Sequence, residues 1–207
     1  MESMESLFPV LESKFGVNRD ARDKWGLTVV VSADNLHGLV EFLKNDSATQ
    51  FDMLVDIAGI DYLGYRSALS EREHEGPRFA VKYNFKSMKN PGHRMSVKVL
   101  VSEDSLSVPT ISDLFEIANW QEREVWDQYG IVFKGHPDLR RLLNHGEFVG
   151  HPLRKDYPQQ KRQWLSTNDF LLPALEARLE TLGYRVIERS KEVEPHPDEF
   201  LEGSIKE

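Results

Sequence analysis

Phe79-Ala-Val-Lys-Tyr-Asn-Phe-Lys86 and Met95-Ser-Val-Lys-Val-Leu-Val101, joined across Asn90-Pro-Gly92, are the stretches that decide the fold. In the first, Phe79, Val81, Tyr83 and Phe85 alternate with Ala80, Lys82, Asn84 and Lys86; in the second, Met95, Val97, Val99 and Val101 alternate with Ser96, Lys98 and Leu100. A period of two sends each apolar set to one face of a sheet, and Asn-Pro-Gly supplies the turn. One packed face and one partly wet face favour antiparallel pairing. Upstream, Leu27-Thr-Val-Val-Val31 is short and β-branched and reads as a strand. Ser32 is placed to cap a helix through Lys44, with Leu36, Leu39, Val40 and Leu43 as its buried stripe. Phe51 to Ile60 reads as another strand, ahead of a charged, glycine-bearing loop from Asp61 to Pro77. Residues 4–15 carry Leu7, Val10, Leu11 and Phe15 at helical spacing and stop at Gly16. The expectation is an α+β fold: two helices packed on a mixed, mostly antiparallel sheet of four or five strands, followed by an extended C-terminal arm.

Past the hairpin, Pro109 bars Val108 from the α region, so the next helix cannot begin before it. Thr110 stands as N-cap with Asp113 three residues on, and Ile111, Leu114, Phe115 and Ala118 form an apolar stripe. Asn119 and Trp120 mark a bend before a second helical segment with Val125 and Tyr129 inward, ended by Gly130. After Phe133 the pattern changes. From Lys134 to Trp164 there are three X-Pro steps after Gly135, few apolar residues, and the tripeptide Gly-His-Pro twice, at 135–137 and 150–152. Pro173 to Leu182 reads as a short helix with Leu175, Leu179 and Leu182 on one side, and Tyr184–Glu188 as a further strand. The stretch from Lys191 is acidic and expected to be mobile. These changes divide the chain into an α+β domain over 1–133, a partner-clasping arm over 134–190 and a tail over 191–207.

A length of 207 residues suffices for one domain with a good core and a sizeable appendage. With 40% hydrophobic and 29% charged residues, part of the chain is expected to find its burial elsewhere. The absence of cysteine excludes disulfides and cysteine-ligated zinc or iron–sulfur clusters. The acidic first residues lack the basic and apolar regions of an export signal, and no apolar run approaches the roughly 18 residues of a membrane span. A net charge of −8 argues against a general nucleic-acid binder. The charge is nevertheless uneven: five acids stand against one arginine from Asp113 to Asp127, and seven bases against three acids from Lys134 to Arg162.

Glu122, Glu124 and Asp127 look like a carboxylate cluster, but on a helix Glu122 and Glu124 point about 200° apart and cannot jointly hold a metal. Arg123 and Asp127 are spaced to pair with each other. His136, His145 and His151 are widely spaced and lack cysteine support. The plainer reading is that each Gly-His-Pro combines a permissive φ, a locked φ and an imidazole bonded to backbone. No phosphate-cradling glycine pattern, Gly-x-Ser-x-Gly elbow or zinc helix occurs. The proline-stiffened arm makes physical sense as a clasp: it loses little entropy on docking, its arginines fork onto carboxylates or helix ends, and with a docked helix it buries on the order of 2,000 Å².

The unbroken run Glu122-Arg-Glu-Val-Trp-Asp-Gln-Tyr-Gly-Ile-Val-Phe-Lys-Gly-His-Pro-Asp-Leu-Arg-Arg-Leu-Leu143 resembles the signature of the C subunit of the respiratory NADH-quinone oxidoreductase, complex I. The resemblance extends upstream to Pro109–Phe115 and downstream through Gly150-His-Pro-Leu-Arg-Lys-Asp-Tyr-Pro158; Gln128 departs from it, standing where the family more often has an apolar residue. It implies a non-catalytic structural subunit in the peripheral arm of a proton-translocating NADH:quinone oxidoreductase. Such a subunit docks on the hydrogenase-like subunit that builds the quinone pocket, near the iron–sulfur subunits, with no nucleic acid and no membrane span of its own. The complex is an enzyme using NADH, FMN, iron–sulfur clusters and quinone; this chain is expected to bind none of them and to have no active site. The implied place is peripheral, on the cytoplasmic face of the inner (plasma) membrane, held through partners. The expected partner-binding residues are Glu122, Arg123, Glu124, Asp127, His136, Asp138, Arg140, Arg141, His151, Arg154, Lys155, Asp156 and Tyr157. The scaffold of a membrane-bound hydrogenase or related complex is the alternative within this resemblance. A free-standing metal-dependent enzyme using His136, His145 and His151 is the alternative from another class, which metal analysis separates.

Overall fold

The structure, a computed structural model, describes residues 4–20, 26–47, 49–65, 76–90, 92–161, 163, 165–166 and 168–184. In chain order the elements are α1 (Met4–Phe15), β1 (Asn18–Arg19), β2 (Leu27–Val31), α2 (Ala33–Asn45), β3 (Met53–Asp61), β4 (Phe79–Lys86), β5 (Arg94–Val101), β6 (Ser107–Pro109), α3 (Ala118–Tyr129), β7 (Val132–Lys134) and α4 (Asn168–Thr181). The described residues fall into two compact units: the chain up to Asn144 with His151–Tyr157, and His145–Gly150 with the residues from Pro158 on.

In the first unit the hairpin pairs as its alternation requires, with Phe85 opposite Met95, Tyr83 opposite Val97 and Val81 opposite Val99. β3 adds antiparallel to β4 and β2 parallel to β5, giving a mixed sheet in the order β1-β2-β5-β4-β3. The fold is α+β, as the sequence predicts. Apolar rows run through four of the five strands; one is Val29, Val97, Tyr83, Ile57, all buried, and the β3–β4 register shifts once, between Leu54 and Asp56. On that face lie Leu11 of α1 and Leu36, Leu39, Val40 and Leu43 of α2, each fully buried. Val10 points outward instead, at 41% exposed. Ser32 is the N-cap of α2 by position, yet its side chain makes no cap bond.

The third helix departs from expectation. Pro109 does not precede a helix at Thr110; it ends strand β6, which pairs in parallel with β7. Proline fits there because it has no N–H to donate to a ladder. Residues 112–114 and 116–117 form turns, with the Leu114 and Phe115 N–H groups both bonded to the Ile111 carbonyl. Asn119 and Trp120 belong to the first turn of α3 rather than to a bend. α3 approaches the sheet at Gly59, where a methyl group would overlap the Tyr129 ring.

The second unit carries α4, which begins earlier than expected and contains Pro173 within its first turns. Leu171, Leu175 and Leu182 are 65%, 52% and 64% exposed. Ahead of α4, the Gln163 amide exchanges two hydrogen bonds with the Val149 backbone, and Glu147 accepts from the Ser166 N–H and hydroxyl. Tyr184 is not in a strand; residues 185–188, the rest of that expected strand, and the tail from Lys191 lie outside the described residues.

Candidate functional site

The family-like stretch is built around α3. Gly130 ends the helix at φ +77°, its N–H on the Trp126 carbonyl, a left-handed position that glycine adopts without strain. Of the acids on the helix, Glu124 is exposed while Glu122 and Asp127 are completely buried.

Glu122 serves the segment before the helix. Its carboxylate accepts the Ile111 N–H at 2.8 Å and the Thr110 hydroxyl at 2.5 Å, so it caps the turn that opens at Ile111. No arginine or lysine pairs with it among the described residues, and the His136 Nε2 stands 4.0 Å away. Burial pushes the Glu122 carboxyl up to about 7, against the pull of those two hydrogen bonds.

Asp127 serves the segment after it. Oδ2 accepts the consecutive N–H groups of Leu142, Leu143 and Asn144 at 3.2, 2.9 and 2.9 Å, while Oδ1 accepts Arg141 Nη1 at 2.6 Å and the Asn144 amide at 3.1 Å. These donors outweigh desolvation and hold its carboxyl down at about 2. Arg123 does not pair with Asp127; it reaches past it to the carbonyls of Arg140 and Arg141. The backbone of 140–144 is thus held from both sides, by Arg123 at its carbonyls and by Asp127 at its amides.

The two Gly-His-Pro turns seat on opposite ends of the helix. Gly135 and Gly150 both have positive φ, +83° and +95°. His136 Nδ1 accepts the Asp138 N–H, so Nε2 carries the proton and donates to the Asn119 carbonyl in the first turn. His151 donates from Nδ1 to the Asp127 carbonyl in the last turn, at 3.0 Å, and burial pulls its pKa down, favouring the neutral ring. Leu153 N–H bonds to the Gln128 carbonyl and Arg154 Nε to that of Tyr129. The C-terminal carbonyls of α3 are therefore capped by side chains and backbone from the second turn. The methyl of a Gly130→Ala variant would run into Arg154 Nη2 and come within 2.5 Å of His151 Nε2. Gly130→Ala is therefore expected to cost about 2 kcal/mol in left-handed strain and displaced contacts, read as a lowered urea midpoint. An unchanged midpoint would show that the second turn is not seated on the helix end.

Sequence reasoning missed one anchor. Asp61, at the end of β3, accepts Arg78 Nε and Nη2 at 3.0 and 2.9 Å, the Leu63 N–H at 2.9 Å and the Lys155 N–H at 2.8 Å. Arg78 also pairs with Glu103 and Asp156, each at 2.8 Å. Both residues bound a loop that reads only as charged and polar, and no local pattern links Asp61 to a partner 94 residues away.

Of the residues expected to bind a partner, Glu122, Arg123, Asp127, Arg141, His136, His151 and Arg154 are thus brought together around α3, each with at least one side-chain hydrogen bond inside the chain. Asp138 and Arg140 pair with each other at 2.8 Å on the surface, with side chains 51% and 72% exposed. Glu124 and Lys155 are exposed, Asp156 is held by Arg78, and the Tyr157 N–H bonds to the Arg154 carbonyl. Leu143 and Leu153, which the sequence did not single out, stand 65% and 52% exposed on backbone fixed by Asp127 and Gln128. The histidines do not form a metal site: His136 and His151 bond to Asn119 and Asp127, about 12 Å apart along a helix. No group of three His, Cys, Asp or Glu able to hold a metal occurs among the described residues, and no described helix is long and apolar enough to cross a membrane.

Comparison with known proteins agrees with this geometry. Residues 29–163 match the family model described as the respiratory-chain NADH dehydrogenase 30 kDa subunit. The C subunit of NADH-quinone oxidoreductase from Acidithiobacillus ferrooxidans is 42% identical over 159 residues, 76% of each chain. Its counterpart in Burkholderia mallei is 44% identical over 133 residues, 64% of each chain. Among solved structures, a trypsin-resistant fragment (1–134) of Nqo5 superposes with a TM-score of 0.53 at 34% identity, covering 66% of this chain and 98% of that one. A chain of the membrane-bound sulfane sulfur reductase, an archaeal respiratory membrane complex, shares the fold at a TM-score of 0.58 and 21% identity, over 91% of this chain and 96% of its own. With the match spanning most of the sheet, α3 and both Gly-His-Pro turns, the chain belongs to the 30 kDa subunit family of respiratory NADH dehydrogenase, the family of the NADH-quinone oxidoreductase C subunits.

Proposed function

We propose that the chain is a non-catalytic structural subunit of an NADH:quinone oxidoreductase, docked on the hydrogenase-like subunit that builds the quinone pocket and lying beside the iron–sulfur subunits. The observation that carries this reading is the division of labour around α3. The buried charges of the signature fix residues 135–144 and 151–157 onto the helix, and what they hold outward is a rigid display of Arg140, Leu143, Leu153 and Lys155. Large apolar side chains presented on immobilised backbone lose little entropy on association, which suits a permanent interface. On this reading the flavin, iron–sulfur clusters, NADH and quinone belong to partner subunits. The chain is peripheral, on the cytoplasmic face of the membrane, and held there by its partners.

The shared fold of the sulfane sulfur reductase chain keeps one alternative in view, the same scaffold in a complex with another electron donor. Identities of 42% and 44% to NADH-quinone oxidoreductase subunits favour the first reading.

The test is assembly measured apart from rate. Leu143 and Arg140 join the cage around Asp127 and Arg123 only through their backbone, and their side chains are exposed, so Leu143→Asp with Arg140→Glu is expected to leave the chain folded. Each apolar anchor is worth about 1.5–3 kcal/mol when buried, so complex recovered from native membranes is expected to fall at least about tenfold. Turnover per assembled complex should stay near the wild-type value. Full assembly with collapsed quinone reduction would place this arm at the reaction and sink the scaffold reading.

A further inference from the structure

The face of the five-stranded sheet turned away from α1, α2 and α3 carries a groove of about 570 Å³ across β2, β3, β4 and β5. Among the described residues, Lys82, Lys86 and Arg94 line it together with one carboxylate, Asp56. Met53 and Val55 of the last strand form its apolar rim, 41% and 47% exposed. In a chain of net charge −8, three cations gathered in one groove are a marked segregation of charge.

The register sharpens the point. Lys86 lies directly opposite Arg94, and Lys82 directly opposite Lys98. Like charges facing each other across antiparallel strands destabilise the pair. The fold answers the second pair itself, since Lys98 forms a salt bridge to the buried Asp20 carboxylate. For Lys86 and Arg94, no carboxylate bond occurs among the described residues. An opposed cationic pair left standing beside an apolar rim suits an anionic, partly apolar occupant supplied from outside.

We propose that this groove seats an extended acidic segment of a neighbouring subunit, with its carboxylates on Lys86 and Arg94 and an apolar side chain against Met53 and Val55. An extended chain fits because its side chains alternate in direction, so acidic and apolar residues in alternation meet the cations and the strand rim in turn. The groove is on the opposite sheet face from the helices, so this contact is separate from the one at α3, and it rests on the reading of the chain as a subunit of a larger assembly. It gives the subunit a second contact face, on the side of the sheet away from α3.

The experiment is lysine footprinting with zero-length cross-linking. Acetylation of Lys86 is measured in the native complex and in the isolated full-length chain, with exposed Lys89 as internal reference. In the complex, Lys86 is expected to be protected about tenfold relative to Lys89. Carbodiimide should couple it to Asp or Glu of another subunit, and that product should vanish with Lys86→Gln. Equal reactivity in both states overturns the proposal. So does protection without a cross-link, or a cross-link only to this chain's own Asp56 or to acids of residues 191–207. If the chain does not co-purify with a complex at all, the scaffold reading fails first; co-purification with unprotected Lys86 removes the groove alone.

Discussion

Replacing Asp127 by alanine is expected to release residues 141–144 from α3 and to destabilise the chain by about 3–5 kcal/mol. The carboxylate is fully buried and accepts three consecutive backbone N–H groups, the Asn144 amide and the Arg141 guanidinium. Alanine removes the acceptor and leaves those donors behind, and unsatisfied buried donors cost more than a hydrogen bond contributes. Asp127→Asn would be little better, because an amide offers one acceptor oxygen where the carboxylate has two. Two readouts separate this from general unfolding: a lowered urea midpoint, and new tryptic cleavage at Arg140 and Arg141 under conditions where the sheet stays intact. A cut after Phe133, where the sequence marks a domain boundary, removes the same partners at one stroke and is expected to weaken the remaining domain comparably. If Asp127→Ala matches the wild type in both readouts, the cage is not what holds the segment.

The pH dependence of this group has a definite sign. Its folded carboxyl is depressed from 3.8 to about 2. Its contribution, about 2 kcal/mol, is therefore fully present above pH 4 and is lost as pH falls toward 2.

Glu122 should act in the opposite sense, and Glu122→Gln should make that visible. Burial raises its carboxyl from 4.5 to about 7. Between those values the folded chain binds more protons than the unfolded one, so stability falls as pH rises through this window, by about 3 kcal/mol overall. The neighbouring ionisable groups do not reverse the sign: Asp113 adds to the rise and His136, at 4.0 Å, bonds to backbone through both ring nitrogens. Glutamine keeps the shape and one acceptor for the Ile111 N–H but cannot ionise. Relative to the wild type, Glu122→Gln is expected to gain stability steadily from pH 5 to 8 and to overtake it at the alkaline end, since the stability that the buried His151 gains with rising pH is common to both proteins. Urea midpoints across that range decide it; parallel curves for the two proteins would mean that Glu122 does not titrate there.

Much of the fold is legible in the chain because the signals are local. Alternation in 79–86 and 95–101 fixes which side chains share a face, since successive residues of a strand point opposite ways. Gly16 and Gly130 end helices because only glycine takes φ of +62° and +77° freely. Both Gly-His-Pro tripeptides read correctly as turns whose imidazoles bond to backbone. The helix expected from Thr110 failed for a reason outside its own residues: Ser107–Pro109 finds a strand partner in β7, and Glu122 reaches back to cap the turn at Ile111. Capping patterns describe what a segment does alone, and here a tertiary partner was stronger.

The charged residues were the least legible, and they decide the site. Spacing offers Arg123 to Asp127, yet the structure gives Asp127 to Arg141 and the 142–144 amides, and Asp61 to Arg78 and Lys155. It also sorts the paired arginines, turning Arg141 inward to the helix and leaving Arg140 at the surface. The sequence by itself determined the hairpin at the heart of the sheet, the glycine stops of two helices, the two rigid turns and the family signature, because backbone sterics and side-chain periodicity act over a few residues. Which carboxylate is buried, which cation answers it and which side chains remain outside for a partner were decided only by the tertiary structure. Those choices join groups 14 to 94 residues apart, and the electrostatic terms that rank them take their size from a burial that exists only once the chain has closed.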